Sequence, residues 1–147
     1  MKIFLGADHN GFRLKEHLEY YLRSLGHQVK DVSGNKYDPN DDFPFHASRV
    51  ATSVLANPGS VGILSCGSGQ GVAMAANRFK GVRASLVWSI QEAKVSRNDD
   101  DANILCLPAS VLTNLDRAKD ITDAWLNTPF EAAPRFIRRI KAMDELN

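Results

Sequence analysis

The sequence predicts an α/β fold in which a five-stranded parallel sheet carries helices on both faces. Five short apolar segments alternate along the chain with segments of helical spacing, and right-handed crossovers between parallel strands place helices above and below a sheet. The length of 147 residues is close to that of one domain. Its 44% hydrophobic and 24% charged residues are typical of a globular protein. We therefore expect a single domain over residues 1–147.

The first elements are a strand, a helix and a second strand. Residues 2–5 are bulky and apolar, which predicts a buried strand. Residues 14–25 repeat leucine and tyrosine on one helical face, and Gly26 supplies a left-handed stop after them. Residues 27–32 alternate between polar and apolar, as a strand does. The polar, proline-containing segment 33–44 predicts a surface loop.

The remaining elements repeat this alternation and then become helical only. Alanine and valine at helical spacing predict a helix over 45–56, which Asn-Pro-Gly ends. Apolar runs predict strands, and segments of helical spacing follow them. The predicted strands are 61–65, 82–88 and 103–107, and the predicted helices are 72–79, 90–97, 111–126 and 134–146. Ligands of such sheets bind beyond the carboxyl ends of the strands, so the loops that follow the strands at those ends are the candidate site.

Charge and hydropathy exclude several classes of function. The chain has 18 basic and 17 acidic residues, so it lacks the overall positive field that non-specific binding to nucleic acid requires. No apolar run approaches the roughly 20 residues that span a bilayer, and the start lacks a signal-peptide pattern. We expect a cytoplasmic protein that binds neither nucleic acid nor membrane. Its two cysteines, Cys66 and Cys106, are expected to be reduced thiols, with Cys106 a buried core residue.

A glycine-rich loop, Cys66-Gly67-Ser68-Gly69-Gln70-Gly71, follows the third predicted strand. Its three glycines let backbone amides point inward, as in an anion cradle. The loop lacks the Gly-Lys-Ser/Thr ending of a Walker A motif, and Val72 replaces the third glycine of a dinucleotide fingerprint. ATP and NAD are therefore not expected as ligands. A merely tight turn between strand and helix is the alternative.

Cys66 is the chemical candidate in this loop, because a helix N-terminus and aligned amides favour a thiolate. A cysteine hydrolase or transferase would need a histidine partner. Of the four histidines, only His9 in the first loop is expected near Cys66. Asp8 and His9 suggest proton transfer and contact with an anion, although capping of the following helix by Asp8 or Asn10 is an equal alternative.

Two arginines near the end of the chain, Arg135 and Arg139, are spaced to share one helical face. Guanidinium groups in that arrangement bind phosphate well, and a solvated basic face is the alternative. Neither possibility is decided by the spacing alone.

The chain as a whole also resembles a known family. The shared segments are Gly6–Gly11, Asp42–Pro44, Cys66–Gly71, Ala75–Arg78, Ser96-Arg97 and Asp101–Asn103, in order between Lys2 and Arg139. Together they resemble the type B ribose-5-phosphate isomerases and the related galactose-6-phosphate isomerase subunits. The resemblance implies a three-layer α/β/α, Rossmann-like or flavodoxin-like fold, a homodimer or tetramer with sites between subunits, no metal or organic cofactor, and a place in carbohydrate metabolism such as the pentose phosphate pathway.

The resemblance also implies roles for individual residues. Cys66 would remove the C2 proton of an opened aldose phosphate, and Asp8 would move a proton between O1 and O2. Ser68 and the amides of the glycine loop would hold the resulting enediolate. The implied catalytic residues are Cys66, Ser68, Asp8 and Asp99, and the implied substrate-binding residues are His9, Gly67, Gly69, Gln70, Gly71, Val72, Asp100, Arg135 and Arg139. The helix over 134–146 is expected to reach the partner subunit.

The chain departs from the family pattern on the side that opens the sugar ring and binds phosphate. Asp99 and Asp100 replace a usual His-Asn pair, so that Asp99 would have to act as the ring-opening acid or base. Ser110 and Phe136 stand where the family commonly has an arginine and a histidine, and Phe43 lacks the hydroxyl of the frequent tyrosine.

These features favour an aldose–ketose isomerase whose substrate is ribose 5-phosphate or another pentose or hexose, phosphorylated or not. A catalytically weak sugar-phosphate-binding or regulatory protein on the same scaffold is the second hypothesis. A cysteine hydrolase or transferase fits less well, since the early loop offers only His9 as a partner.

Overall fold

The computed structural model describes residues 1–146 as one α/β/α unit. Five parallel strands form a single sheet in the order β2-β1-β3-β5-β4. The strands are β1 (Lys2–Ala7), β2 (Gln28–Asp31), β3 (Val61–Cys66), β4 (Ala84–Leu86) and β5 (Ile104–Pro108). The helices are α1 (Phe12–Ser24), α2 (Phe43–Leu55), α3 (Gln70–Ala76), α4 (Ile90–Asn98), α5 (Leu115–Asn127) and α6 (Pro134–Asp144). The predicted three-layer fold with a five-stranded parallel sheet is confirmed.

Two apolar cores lie on opposite faces of this sheet. On one face, α1, α4 and α5 bury leucine, isoleucine and the fully enclosed Trp125 against the strands. On the other face, α2 and α3 bury mainly valine and alanine, and Cys106 is enclosed there as predicted. Burial raises the pKa of the Cys106 thiol, and the nearby Cys66 adds to the rise. Cys106 therefore stays an inert thiol of the core.

The strand order reverses direction between β1 and β3. From β1 the chain turns outward to β2, whereas from β3 it continues toward the other edge. The crevice beyond the carboxyl ends of two such strands is the usual ligand site of an open α/β sheet. The same reversal between β1 and β3 occurs in flavodoxin-like sheets, although here the last two strands are exchanged in position.

Several predicted boundaries are wrong for local reasons. The helix predicted from 111 begins only at Leu115, because the Asn114 side chain accepts from the amides of Asp116 and Arg117 and so caps it there. Helix α2 begins at Phe43 inside the predicted loop, since Pro44 occupies its first turn, where a missing N–H costs nothing. The strand predicted over 82–88 is only three residues long.

The other boundaries differ less. Helix α3 begins at Gln70 instead of residue 72 and ends at Ala76 instead of residue 79. Helix α6 ends at Asp144 instead of residue 146. Strand β3 includes Cys66, which the sequence placed in the loop. Among the described residues, no helix is long and apolar enough to cross a membrane.

The free edge of the sheet at β4 is covered by a side chain. The Asn77 amide, just after α3, donates to the Ala84 carbonyl oxygen at 2.9 Å and accepts from the Ala84 N–H at 2.8 Å. One side chain thus supplies the two hydrogen bonds that a neighbouring strand would supply.

A buried ion pair joins α1 to the end of β2. Lys15 is almost fully enclosed, and its Nζ lies 2.6 Å from Asp31 Oδ2 and 2.5 Å from the Gly34 carbonyl oxygen. The same ammonium group stacks 4.6 Å from the centre of the Phe12 ring. Replacing Asp31 would leave a buried cation without its counter-charge.

We expect Asp31→Ala to lower the free energy of unfolding by about 3–5 kcal/mol, because Lys15 would remain buried and unpaired. The matched control is the exposed pair between Glu19 and Arg23, which are 2.7 Å apart. Glu19→Ala should cost less than about 1 kcal/mol. Urea unfolding followed by circular dichroism measures both, and equal costs would contradict the role given to the buried pair.

Candidate active site

The candidate site lies where the loops after β1 and β3 meet. These strands are neighbours, and Ala7 pairs with Ser65, so Asp8 and Cys66 follow them side by side. Gly11, at the start of α1, rests on the Ser65 carbonyl group so closely that any Cβ at Gly11 would overlap it. This contact brings the first loop against the glycine-rich loop.

The Cys66 thiol lies at the base of the glycine-rich loop. It is almost fully buried, and its Sγ accepts a hydrogen bond from the Gly69 N–H at 3.2 Å. Gly69 adopts the left-handed conformation, with φ of 73°. The sulfur atom therefore faces a backbone donor at the point where the glycine-rich loop enters α3.

The remaining loop residues offer mainly backbone to a ligand. Ser68 is exposed, and its Oγ accepts from the Gln70 N–H at 3.3 Å. The Val72 side chain is fully buried in the core between α2 and α3. Of the predicted contact residues, Val72 can therefore reach a ligand only through its backbone. Gly71 faces the Phe43 ring, which a Cβ at Gly71 would approach to 2.8 Å.

Strand β5 and the turn after it hold the glycine-rich loop from below. The Ser110 N–H and hydroxyl both donate to the Gly67 carbonyl oxygen, at 2.9 and 2.6 Å. The Ala109 N–H donates to the Cys66 carbonyl oxygen at 2.9 Å. Ser110, which replaces an arginine of the family pattern, thus supports the loop in this chain.

The capping alternative for Asp8 is wrong, because the N-cap of α1 is Gly11 and it has no side-chain cap hydrogen bond. Asp8 instead closes the turn that precedes the helix. Its Oδ1 accepts from the N–H groups of Asn10 and Gly11, at 3.0 and 3.1 Å. The side chain is nonetheless placed next to the Cys66 loop, and both of these bonds use one carboxylate oxygen. The two turn hydrogen bonds therefore fix the Asp8 carboxylate without occupying Oδ2.

His9 is held by a residue that the sequence analysis missed. Asp41 Oδ1 lies 2.7 Å from His9 Nδ1, and Asp41 Oδ2 lies 2.8 Å from His46 Nε2. The hydrogen bond that His9 donates to Asp41 raises the pKa of His9, and burial opposes the rise only in part. Asp41 lies 32 positions from His9 in a polar loop, and no spacing rule connects two such residues. Both histidines hydrogen-bond to Asp41, and within residues 1–146 neither pairs with the Cys66 thiol, so the hydrolase hypothesis gains no support.

A second group is formed by Asp99, Asp100 and Arg139. It lies near the amino end of β5, whereas Cys66 lies at the carboxyl end of β3. Asp99 ends α4, and β5 then begins at Ile104. Ile104 pairs with Gly62, which precedes Cys66 by four residues, or about 13 Å of strand. Within one chain these residues are therefore remote from Cys66.

This second group has its own electrostatics. Burial raises the pKa of Asp100, Asp99 adds to the rise, and Arg139 lowers it. Arg135 is exposed, lies 3.7 Å from Glu131 and stacks over Phe136. Arg135 and Arg139 are both exposed in the single chain, so a clamp role would need a second copy of the chain. In the described part of the chain, no group of three or more His, Cys, Asp or Glu side chains is arranged to hold a metal ion.

Comparison with known proteins decides the family. The profile of the Ribose/Galactose Isomerase family matches residues 3–143. The chain belongs to this family. Membership confirms the resemblance drawn from the motifs, and it confirms the predicted enzyme class, an aldose–ketose isomerase.

Individual relatives cover almost the whole chain. Ribose-5-phosphate isomerase B of Mycobacterium tuberculosis is 38% identical over 145 residues, covering 99% of this chain and 89% of the relative. Ribose-5-phosphate isomerase B of Escherichia coli is 38% identical, with 97% and 93% covered. The crystal structure of a ribose 5-phosphate isomerase from Thermotoga maritima has a TM-score of 0.93 at 40% identity, with 99% and 98% covered.

A further structure holds a sugar phosphate. Ribose-5-phosphate isomerase B from Mycoplasma genitalium, with bound ribulose-5-phosphate, has a TM-score of 0.92 at 40% identity. The match covers 97% of this chain and 93% of that chain.

We expect Gly69→Ala to lower the free energy of unfolding by about 2–4 kcal/mol and to abolish most isomerase activity, since left-handed strain adds to overpacking. A Cβ at Gly69 would lie 2.5 Å from Leu86 Cδ1. The control is Gly59→Ala, at φ of 84° with open space around it, which should cost about 1 kcal/mol. Thermal unfolding and turnover measure both variants, and equal losses would refute the close fit at Gly69.

Proposed function

We propose that the chain interconverts the aldose and ketose forms of a sugar phosphate, ribose 5-phosphate with ribulose 5-phosphate or a related pentose or hexose phosphate. The observation that carries the proposal is the Cys66 thiol, held by the Gly69 amide beside Asp8 in the crevice between β1 and β3. The names of the relatives and the ribulose-5-phosphate bound in the Mycoplasma genitalium structure support this substrate class.

The proposed reaction begins with the thiolate. Cys66 takes the C2 proton of the opened aldose, and the electron pair moves onto the carbonyl oxygen O1 to give an enediolate. Amides of the loop from Gly67 to Gly71, together with the Ser68 hydroxyl, stabilise the charge that develops there. Asp8 Oδ2 moves a proton from O2 to O1, and Cys66 returns its proton to C1. No electrons leave the substrate, so the reaction needs no external oxidant or reductant.

Ring opening and phosphate binding are assigned to residues that one chain places apart. His9 contacts the phosphate from the first loop, whereas Asp99, Asp100, Arg135 and Arg139 would come from a partner subunit. The distance across the sheet supports this homodimeric arrangement, because Asp100 and Cys66 occupy opposite strand ends. Because burial raises the pKa of Asp100, this carboxyl group keeps its proton to higher pH than an ordinary aspartate does.

The base is tested by Cys66→Ala, which should slow exchange of the C2 hydrogen with deuterium by about 10² to 10⁴-fold. The measurement is NMR of a panel of sugar phosphates in heavy water. Cys106→Ala is the matched control, because that thiol is buried in the core and should leave turnover in place.

Full exchange by Cys66→Ala would contradict the assignment of the base. Absence of turnover across the panel, together with thermal stabilisation by sugar phosphates, would favour the binding or regulatory protein instead.

The shared site is tested by mixing two inactive variants, Cys66→Ala and Arg139→Ala. If each site takes Cys66 from one subunit and Arg139 from the other, mixed dimers regain one intact site, and activity should recover to about a quarter of the wild-type value. The control is a mixture of Cys66→Ala with Asp8→Ala. The proposed site takes Asp8 and Cys66 from the same subunit, so no mixed dimer contains an intact site and activity should not recover. No recovery in the Arg139 mixture, with subunit exchange verified by mass spectrometry, would contradict the arrangement.

A further inference from the structure

One carboxylate in the loop before α2 connects two histidines. Asp41 Oδ1 receives the His9 backbone N–H at 2.9 Å and lies 2.7 Å from His9 Nδ1. Asp41 Oδ2 lies 2.8 Å from His46 Nε2. A carboxylate only accepts hydrogen bonds, so each histidine must carry its proton on the nitrogen that faces Asp41.

This constraint determines what His9 can offer a ligand. With its proton on Nδ1, a neutral His9 has only a lone pair on Nε2, which repels a phosphate oxygen. The doubly protonated ring donates from both nitrogens and can bind Asp41 and phosphate together. In this structure the Asn10 side-chain amide donates to the His9 Nε2 lone pair across 3.2 Å, and the Asn10 side chain borders Gly67. The nitrogen therefore faces the glycine-rich loop. A phosphate that binds the doubly protonated ring takes the place of this hydrogen bond.

His46 completes the arrangement from α2. Its ring is mostly enclosed, and its Nδ1 is buried without a hydrogen-bond partner among residues 1–146. Because the Asp41 carboxylate only accepts, the His46 ring carries a proton on Nε2. His46 thus acts as a donor that fixes the Asp41 carboxylate, whose other oxygen faces His9.

The two carboxylates near His9, those of Asp8 and Asp41, both raise its pKa. The Asp41 hydrogen bond raises the pKa of His9, burial lowers it, and the charges of Asp8 and Asp41 add to the rise. Burial would raise the pKa of Asp41, but hydrogen bonds from His9 and His46 outweigh burial and lower it. The carboxylate therefore remains charged over the range in which His9 titrates.

We propose that Asp41, fixed by His46, is a positioning residue that keeps His9 in the form that donates from Nε2, and so extends phosphate binding to higher pH. The inference rests on the proposed function, because it assigns His9 to the phosphate of the substrate. It adds two residues, Asp41 and His46, that act on the substrate only through His9.

The first test is the pH dependence of KM for ribose 5-phosphate in Asp41→Asn. Because the wild-type His9 pKa is raised, its donating form persists to higher pH than in the variant. We expect the ratio of variant to wild-type KM to rise by about tenfold between pH 6 and pH 8, the equivalent of one charge-assisted hydrogen bond. The ratio cancels the titration of the substrate phosphate, and kcat should change much less.

Asp38→Asn is the matched control, since it removes the same charge from the same loop. Its carboxylate accepts from the Asn40 N–H, and in the described part of the chain it makes no hydrogen bond to His9 or His46. Its KM ratio should stay flat with pH. A flat ratio for Asp41→Asn as well would overturn the inference.

A second measurement needs neither turnover nor the Asp41 variant. Nitrogen-15 NMR of wild-type His9 above its pKa should show the tautomer protonated on Nδ1, and a tautomer protonated on Nε2 would overturn the inference. Lack of turnover in the wild type would remove the proposed function alone, whereas turnover with the wrong tautomer would remove only this inference.

The role of His46 is tested by rescue. Gln carries a donor near the position of His46 Nε2, so His46→Gln should keep the wild-type pH profile of KM. His46→Leu removes the donor and should shift the profile in the same direction as Asp41→Asn. Identical profiles for His46→Leu and the wild type would show that Asp41 needs no support from α2.

Discussion

The contact between the Gly11 backbone and the Ser65 carbonyl group sets the geometry of the candidate site. Strands β1 and β3 are hydrogen-bonded neighbours, so their loops begin side by side, but neighbouring loops can still diverge. A residue without a Cβ lets the first turn of α1 lie directly on the end of β3. The turn closed by Asp8 and the loop that begins at Cys66 therefore lie in one crevice.

The overall fold could be predicted from the sequence because parallel strands buried on both faces are near-continuous apolar runs. The five predicted strands and six predicted helices all occur, and the loops predicted to form the ligand site do lie at the carboxyl ends of the strands. Boundaries were less predictable where one side chain decides them. Asn114 ends an apolar turn and starts α5, and apolar spacing alone does not contain that information.

The candidate site was predictable where a local motif carries it and not where distant segments meet. Cys66 and its glycines form one continuous loop, and their conformation follows from their own sequence. Asp41 contributes through a hydrogen bond to a residue in another loop, which only the tertiary structure determines. Asp99 and Asp100 show the converse, because the resemblance groups them with Cys66 while the strand register of one chain places them at the other end of the strands.

The cover that Asn77 provides for β4 has a consequence for self-association. An unpaired strand edge invites another chain to extend the sheet, and the Asn77 amide already occupies the outward-facing backbone groups of Ala84. At the other edge, β2 contributes only four residues. Little free backbone is left at either edge for a second copy to pair with, which disfavours a continuous sheet between two copies. The same two short edges offer a poor template for fibril growth.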